Sequence, residues 1–480
     1  MSVHLTDQDQ FRDHISTADQ RGKRLWIYPQ KPSGRFYNYR KYLSYFFLLI
    51  FFGLPFLKCD GEPLFLFNVI EGKFIFFGTL FLPQDFPLFG LAMLTFMVFI
   101  VLFTAIFGRL FCGWICPQTI FMEMVFRRIE YWIDGDANEQ RRLKNRAWDA
   151  EKTGKRVFKY SIFFIISFLI ANMFLSYILG IDELGKIIVQ PITMHKGLFF
   201  GLLFFSLVFF FVYTYVRENV CILICPYGRL QGVLLDNKSI VVAYDYVRGE
   251  PRGKLSKEIK AESLSDSRET GLASSAKGDC IDCRLCVKVC PTGIDIRNGT
   301  QLECINCTAC NDACDEIMDK IHKPRGLVRY ASELNIREKK PFRFTARMIG
   351  YTVVLLLLSG TFLRLFMNRS AVDGTFLRTP GIMYQKIDSQ NISNLYNVKI
   401  LNKSHFALGF DLKVEGEPDA RIQMIGNHAL HAEKGDYAVG EVFIIMPLSA
   451  LHKRNTELKI GIYAAGKKMK EIKTNFIGPG

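Results

Sequence analysis

Cysteine is missing from long parts of this 480-residue chain. None precedes Cys59 and none follows Cys314, and eight of the thirteen cysteines lie between residues 280 and 314. Four others form two C-x-x-x-C pairs, so the cysteines cluster as metal ligands do and are not spread as in a disulfide scaffold. Charge is also missing from five apolar runs, which excludes an ordinary soluble protein.

The five uncharged runs predict a membrane protein. Three of them reach the roughly 20 residues that a spanning helix needs, and basic residues at the ends of the two shorter runs favour snorkelling. We expect all five to cross as helices: Tyr42 to Leu57, Phe86 to Gly108, Tyr160 to Ile181, Gly197 to Val216, and Met348 to Leu363. The apolar stretch Phe74 to Pro83 is too short to cross and is expected at the outer surface or as a re-entrant segment.

Basic residues set the expected orientation in the membrane. Segment 21–41 carries seven Lys or Arg and segment 109–159 carries eleven, whereas 58–85 and 182–196 carry two each. The positive-inside rule therefore places the N-terminus in the cytoplasm and, after five crossings, the C-terminus on the outer side. Residues 1–41 are polar and basic, so no cleavable signal peptide is expected. No nucleic-acid module accompanies the net charge of +15, and nucleic acid is not an expected partner.

Two matching motifs follow the second and fourth apolar runs. The segments FCGWICPQT and VCILICPYG both contain C-x-x-x-C-P. Their cysteines are Cys112 with Cys116 and Cys221 with Cys225. The match indicates two helix pairs in parallel repeat, and the proline predicts that each second cysteine lies on a turn off the helix. Buried apolar thiols remain one interpretation, but soft thiolates at repeated positions favour a site for Cu(I), zinc or iron–sulfur.

The segment from residue 280 to 314 carries the most specific motif. Two C-x2-C-x2-C-x3-C runs comprise Cys280, Cys283, Cys286 and Cys290, then Cys304, Cys307, Cys310 and Cys314. This spacing predicts a bacterial-type ferredoxin with two [4Fe-4S] clusters and crossed ligation, and zinc sites have longer spacers. We assign Cys280, Cys283, Cys286 and Cys314 to one cluster, and Cys290, Cys304, Cys307 and Cys310 to the other.

The rest of the chain completes a mixed membrane architecture. Period-two alternation after the last apolar run predicts a C-terminal immunoglobulin-like β-sandwich. His405, His428, His431 and His452 in it are interpreted as scattered surface residues, with His428 and His431 as the alternative metal pair. The expected parts are an N-terminal segment (1–41), four spans (42–235), a polar flexible linker (236–278), the ferredoxin module (279–345), a fifth span (346–366) and the sandwich (367–480).

Together these motifs resemble the cytochrome c oxidase accessory proteins called CcoG, FixG or RdxA. The resemblance rests on the two C-x-x-x-C-P pairs, the double cluster segment, VVAYDYVRGEPRG, and NVKILNKSHFALGFDLKVEG. The C-x-x-x-C-P pairs also occur in quinol-dehydrogenase subunits of the NapH type, which lack the immunoglobulin-like domain.

The resemblance implies an oxidoreductase that assists assembly of cbb-type cytochrome c oxidase by reducing Cu(II) to Cu(I). Copper would be handled at Cys112, Cys116, Cys221 and Cys225, with electrons supplied from the two clusters. Expected partners are membrane lipid, the oxidase assembly machinery, copper chaperones or transporters and an unidentified electron donor; a homodimer is left open. Two alternatives are a quinol-linked electron-transfer protein that binds no copper, and a scaffold whose clusters stabilise or sense.

Overall fold

The computed structural model describes residues 15–19, 21–59, 61–69, 72–190, 196–254, 278–381, 383–404, 406–426, 429–451 and 453–479. The chain divides into two compact units. The first contains residues up to 56 and residues 92–359, and the second contains residues 57–91 and those from 360 onward.

Fifteen α-helices lie within the described ranges. They are α1 (Arg35–Gly53), α2 (Phe86–Phe107), α3 (Leu110–Trp114), α4 (Pro117–Thr119), α5 (Arg127–Ile133), α6 (Ala137–Asn145), α7 (Ala150–Leu179), α8 (Ile181–Val189), α9 (Lys196–Phe211), α10 (Pro226–Leu234), α11 (Tyr246–Gly249), α12 (Leu285–Lys288), α13 (Ala309–Lys320), α14 (Glu333–Glu338) and α15 (Ala346–Met367). Three wider π-helical segments also occur: Ile120–Phe126 follows α4, Val212–Val216 continues α9, and Val220–Ile224 precedes α10.

Four of these helical segments are long and apolar enough to cross a membrane. They are Phe86–Phe107, Ala150–Leu179, Lys196–Val216 and Ala346–Met367, and they correspond to the second to fifth predicted spans, of which the second and third end one and two residues earlier than predicted. The first predicted span, Tyr42 to Leu57, differs: its helix is Arg35–Gly53, which starts in the basic segment and is not among the four. Pro55 lies in the 3-10 turn that follows and cannot continue the helix. Five crossings therefore remain a prediction.

Aromatic side chains form the core where the helices of the first unit meet. Phe121, Phe126, Phe163 and Tyr213 are all buried in one cluster. The ring of Phe126 stacks on that of Tyr213 with centroids 4.4 Å apart, and it meets Phe163 edge to face at 4.9 Å. Rings that pack in these geometries fix the helical segment that follows the first cysteine motif relative to the helices that carry Phe163 and Tyr213.

The ferredoxin module starts earlier than the sequence predicts. Strand β6 (Val241–Tyr244) pairs antiparallel with β7 (Val328–Ala331) and so joins the two ends of the module. The predicted linker 236–278 is therefore partly folded, because its first residues form a strand of the module. Residues 255–277 of that linker lie outside the described residues.

The second unit is built from strands. Strands β1 (Lys58–Cys59), β2 (Glu62–Pro63), β3 (Phe65–Asn68), β4 (Lys73–Phe76) and β5 (Thr79–Phe81) precede α2. Strands β8 (Val372–Arg378), β9 (Gln385–Lys386), β10 (Asn391–Asn402), β11 (Leu408–Glu415), β12 (Arg421–Met424), β13 (Leu430–Ala432), β14 (Tyr437–Pro447), β15 (Asn455–Ala464) and β16 (Lys467–Ile477) follow α15.

The later strands form the predicted β-sandwich. One sheet has the order β12-β14-β10-β8, with β9 also paired to β10, and the other has the order β13-β11-β15-β16. Alternate residues of the long strands are buried, among them Val398 and Ile400 of β10 and Ile460 and Ile462 of β15. This alternation is the period-two pattern that predicted the domain, because successive side chains of a strand point to opposite faces.

The stretch Phe74 to Pro83, which the sequence excluded as a span, forms strands. Strands β3, β4 and β5 make a three-stranded antiparallel sheet. Asp85, at its end, is buried and lies 2.7 Å from the guanidinium of Arg369 and 2.7 Å from the amine of Lys403. These ion pairs join the small sheet to the sandwich within the second unit.

Candidate iron–sulfur and thiol sites

The first cluster cage contains four of the eight ferredoxin cysteines. A cavity of about 370 Å³ is lined by Cys280, Cys283, Cys286 and Cys314. Three come from the first cysteine run and the fourth from helix α13, which is the crossed arrangement that the spacing predicts. We call this cage A.

The second cage, cage B, contains the remaining four. A cavity of about 340 Å³ is lined by Cys290, Cys304, Cys307 and Cys310, and Cys286 also reaches it. The cavities have similar volumes, which suits two groups of one type. The loops match too: Asp282 and Arg284, on either side of Cys283, have positive φ angles of 52° and 56°. Asn306 and Thr308, on either side of Cys307, repeat this with 53° and 63°. Such turns direct backbone amides into concave anion sites.

The chemistry of the cage cysteines suits iron–sulfur clusters. Burial raises the pKa of Cys286, Cys304 and Cys314 to about 12, because it removes their thiolate charges from water. A bound metal compensates that cost by coordinating the thiolate. Both cages therefore fit [4Fe-4S] clusters, which supply one-electron redox chemistry when bound.

The two C-x-x-x-C-P motifs fold alike. Cys116 and Cys225 are each the residue before a helix that begins with proline, with φ,ψ of −55°,123° and −68°,113°. Both second cysteines therefore lie off the helix, as the proline predicted. In each motif, the residue four positions before the first cysteine has a positive φ angle. The angle is 55° both at Gly108 and at Arg217. The same sharp bend thus precedes both motifs, and the parallel repeat is present in the backbone.

The four motif cysteines share one neighbourhood. Burial raises the pKa of Cys221 to about 12, and the charges of Cys116, Cys112 and Cys225 raise it further. Burial likewise raises the pKa of Cys112 to about 11, with contributions from Cys116 and Cys225. Thiols that affect one another in this way lie near each other, and we call the four together the thiol quartet.

Polar side chains from both repeats surround the thiol quartet. The amide of Gln231, which is fully buried, donates a hydrogen bond to Cys112 Sγ at 3.4 Å. The hydroxyl of Thr119 is buried beside Cys116 and Cys221, so a second polar side chain lies at the sulfur atoms of the quartet.

Cage B lies directly against the first thiol motif. Cys112 packs in the same buried cluster as Cys307. The guanidinium of Arg40 donates to Gly113 O and to Cys307 O, both at 3.0 Å. Gly113 has no room for a side chain, because a Cβ there would meet Ile305 O and lie 2.9 Å from the carbonyl carbon of Asn306. The backbone of the thiol motif therefore touches the loop that carries two cage B cysteines.

Further hydrogen bonds hold this junction. Trp114 Nε1 donates to the Tyr330 hydroxyl at 2.9 Å, which in turn donates to Asn306 O at 3.2 Å. The carboxylate of Asp312, from α13, accepts from the amides of Phe36 and Tyr37 at 3.0 and 2.7 Å and so caps α1. The ferredoxin module is thus packed on the helices, whereas the sequence predicted a module reaching the membrane on a flexible linker.

Sequence reasoning missed the residues that complete these sites. Gln231, Thr119 and Arg40 belong to no motif, and their proximity to sulfur or to Gly113 arises only in the folded chain. Gly113 offered a signal, because a glycine between two cysteines permits close backbone approach.

Two groups of residues remain outside the sites. Cys59 is exposed in β1 and belongs to the second unit. His431 is half exposed and lies 3.6 Å from Glu433, whereas His405, His428 and His452 lie outside the described residues.

Comparison with known proteins identifies the parts of the chain. A 4Fe-4S dicluster domain matches residues 216–333, a 4Fe-4S binding domain matches 89–135, and the IG-like fold at the C-terminus of FixG matches 362–479. Protein RdxB of Cereibacter sphaeroides is 32% identical, over 94% of this chain and 96% of the relative. Protein RdxA of the same organism is 33% identical, over 87% and 88%. Nitrogen fixation protein FixG of Rhizobium meliloti is 35% identical, over 66% and 60%.

These matches, the two cages and the apolar helices define a membrane-bound iron–sulfur protein of electron transfer. The predicted combination of ferredoxin module, membrane helices and immunoglobulin-like domain is confirmed. The chain belongs to the FixG/RdxA family.

Proposed function

We propose that this protein reduces Cu(II) to Cu(I) at the thiol quartet and thereby supports maturation of a cbb-type cytochrome c oxidase. The observation that carries the proposal is the contact between the thiol motif at Gly113 and the cage B loop at Ile305 and Asn306. This contact places the backbone of the first thiol motif, whose cysteines are soft ligands, directly against the loop of cage B, whose cluster is a one-electron centre. In this proposal the eight ferredoxin cysteines ligate the two clusters as cages A and B group them.

The chain's own residues explain why the quartet suits copper. Thiolates are soft ligands that favour Cu(I), so the site stabilises the product of a one-electron reduction. Gln231 donates to Cys112 Sγ and the Thr119 hydroxyl lies beside Cys221, so polar side chains hold the sulfur atoms in place. Cys112 is buried and the other three thiols are partly buried, which limits the access of water to a bound ion.

Paired serine substitutions test the copper site. Cys112→Ser with Cys116→Ser removes half of the quartet, and Cys221→Ser with Cys225→Ser removes the other half. Because cluster ligands are untouched, we expect bound copper to fall at least tenfold in either variant while the cluster absorbance is unchanged. Copper is measured per protein by mass spectrometry after anaerobic loading with Cu(I).

Cys59→Ser is the matched control, because Cys59 is an exposed thiol of the other unit. It should bind as much copper as the wild type. Equal copper in all variants would rule out the quartet as the copper site.

A quinol-linked electron-transfer protein without copper is the second candidate. One observation favours it: in the part of the chain that the structure describes, no three His, Cys, Asp or Glu side chains are grouped closely enough to hold a single metal ion. Anaerobic addition of a quinol analogue, followed by the cluster EPR signal, tests this candidate: reduction in the double-serine variants as in wild type would support it.

We further propose that residues 21–41 and the ferredoxin module face the cytoplasm of a bacterial inner membrane, and that the sandwich faces the periplasm. The excess of basic residues in segments 21–41 and 109–159 supports this orientation. Reporter fusions after residues 150 and 480 test it, because they should report opposite sides. The proposed partners are the oxidase assembly machinery and copper chaperones or transporters.

A further inference from the structure

Cage A differs from cage B in its access to solvent. Cys283 of cage A is exposed, and it is the only exposed thiol of the eight cage cysteines. Cys307 of cage B is buried beneath the first thiol motif. The two cages therefore have different neighbours: cage B faces the thiol quartet, and cage A faces water at Cys283.

The backbone presents Cys283 outward. The flanking residues Asp282 and Arg284 have positive φ angles of 52° and 56°, so the chain bends sharply on both sides of the thiol. At cage B the same bends place Cys307 against Arg40, whose guanidinium donates to its carbonyl oxygen. The module thus uses one loop geometry twice, once toward the membrane helices and once toward solvent.

The charge beside the exposed thiol is positive. The Arg284 side chain is 69% exposed, whereas that of Asp282, 3.7 Å away, is 30% exposed. Asp282 is more closely engaged by the buried guanidinium of Arg297, at 2.5 Å. Of the two charged residues that flank Cys283, Arg284 therefore presents the more exposed charge, and the carboxylate of Asp282 is paired within the module.

From this arrangement we propose that the surface around Cys283 and Arg284 is the docking face for a soluble one-electron carrier protein with an acidic contact surface. The inference rests on the proposed electron-transfer function and names the class of its donor. The carrier is oxidised by one electron, the group held in cage A is reduced by one electron, and no bond or proton changes. Transient redox complexes have small interfaces and depend on charge for their association rate, which suits one exposed loop and one cation.

A charge-reversal pair tests the docking face in the full-length protein in nanodiscs. An acidic plant-type ferredoxin serves as the probe. Arg284→Glu reverses the exposed charge, and Lys288→Glu makes the same change at the other end of α12, where the Lys288 carbonyl accepts from Gln30 N at 2.8 Å. Both positions are exposed, so neither substitution buries a charge.

Binding is read first, by hydrogen exchange and calorimetry with the oxidised probe at low ionic strength. We expect protection of residues 281–285 in the wild type and about fivefold weaker binding in Arg284→Glu, because a rim charge governs association at low salt. Lys288→Glu should stay within about twofold of the wild type. Reduction of the clusters by the reduced probe, followed by stopped-flow absorbance, should slow in the same order.

Dithionite supplies the integrity check, because it must reduce the clusters of both variants to the wild-type EPR intensity. Equal binding by wild type and Arg284→Glu, or protection confined to residues 302–306, would overturn the proposal. No readout involves copper, so a failure of the copper assignment leaves this result unaffected.

Discussion

At the residue scale, Arg217 in the second repeat adopts the positive-φ conformation that the first repeat forms with a glycine. Its φ of 55° equals that of Gly108 at the matching position. A side chain makes this conformation costly. The Arg217 guanidinium donates two hydrogen bonds to the carboxylate of buried Glu130, at 2.8 and 2.7 Å. This bidentate pair stabilises the bend before Cys221.

Glu130 lies at the centre of a buried ionic network. Burial alone would raise its pKa, but the charges of Arg217 and Lys159 outweigh burial and hold the pKa below the usual range for a glutamate. A depressed pKa in the folded state means that the ionised carboxylate stabilises the fold above the unfolded pKa. That stabilisation is lost as the pH falls through the lower, folded pKa.

We predict that Glu130→Gln lowers the free energy of unfolding by about 3–5 kcal/mol at neutral pH, because it removes the carboxylate that accepts two hydrogen bonds from the buried Arg217 guanidinium. The difference from wild type should shrink below about pH 4.5, where glutamate protonates in the unfolded chain. Chemical denaturation across pH measures it.

The matched control is Glu151→Gln, which removes an exposed ion pair with Lys155. That change should cost less than about 1 kcal/mol. Similar losses in the two variants would contradict a special role for the buried pair.

At the scale of elements, the bend after a span decides where each thiol motif points. Gly108 ends α2, and the chain turns into α3, which carries Cys112. A Cβ at Gly108 would lie 2.8 Å from Val241 Cγ1 in β6 and 3.2 Å from the Asn306 amide. The bend therefore also brings the motif onto the ferredoxin module.

Gly108→Ala is predicted to destabilise the first unit by about 1–3 kcal/mol, since it combines a positive φ with a steric contact at β6. The altered packing should also increase hydrogen exchange in residues 302–306, which face the motif. Thermal unfolding and exchange mass spectrometry measure the two effects.

Gly201→Ala is the matched control, because it makes the same glycine-to-alanine substitution within helix α9. No atom lies within 4 Å of a Cβ there, so this variant should be neutral or more stable by up to about 1 kcal/mol. A loss at Gly201 as large as that at Gly108 would contradict the argument from the bend.

At the scale of the whole molecule, iron binding concerns one of the two units. All eight cage cysteines belong to the first unit, and the sandwich of the second contains no cysteine. The sandwich core consists of apolar side chains such as Val442 and Ile444, with 0% exposure. Burial of these side chains therefore stabilises the sandwich.

We predict that removal of iron by a chelator abolishes exchange protection in residues 278–338 and leaves strands β10, β14 and β15 protected. The cages hold buried thiols whose folding is coupled to the metal, whereas the strands are held by apolar packing. Simultaneous loss of protection in the sandwich would show that the two units unfold together, against this prediction.

The sequence by itself determined how the eight ferredoxin cysteines are grouped in cages A and B, because their spacing along the chain fixes which cysteines can line one cage. It also determined the strands of the sandwich and the turn at Cys116, since alternation and proline are local properties. The sequence did not place Val241–Tyr244 in the ferredoxin module, because that strand pairs with Val328–Ala331 far along the chain.

Only the tertiary structure brought the four motif thiols together and set Gly113 against Ile305. Those contacts depend on how distant helices pack, and one chain carries no local signal of that packing. The same reason explains why Gln231 and Arg40 were missed: each acts across more than 70 residues, on Cys112 and on Gly113. Spacing and residue type along the chain thus indicated which cysteines form the sites, and the packing of distant helices decided how the thiol motifs contact the cages.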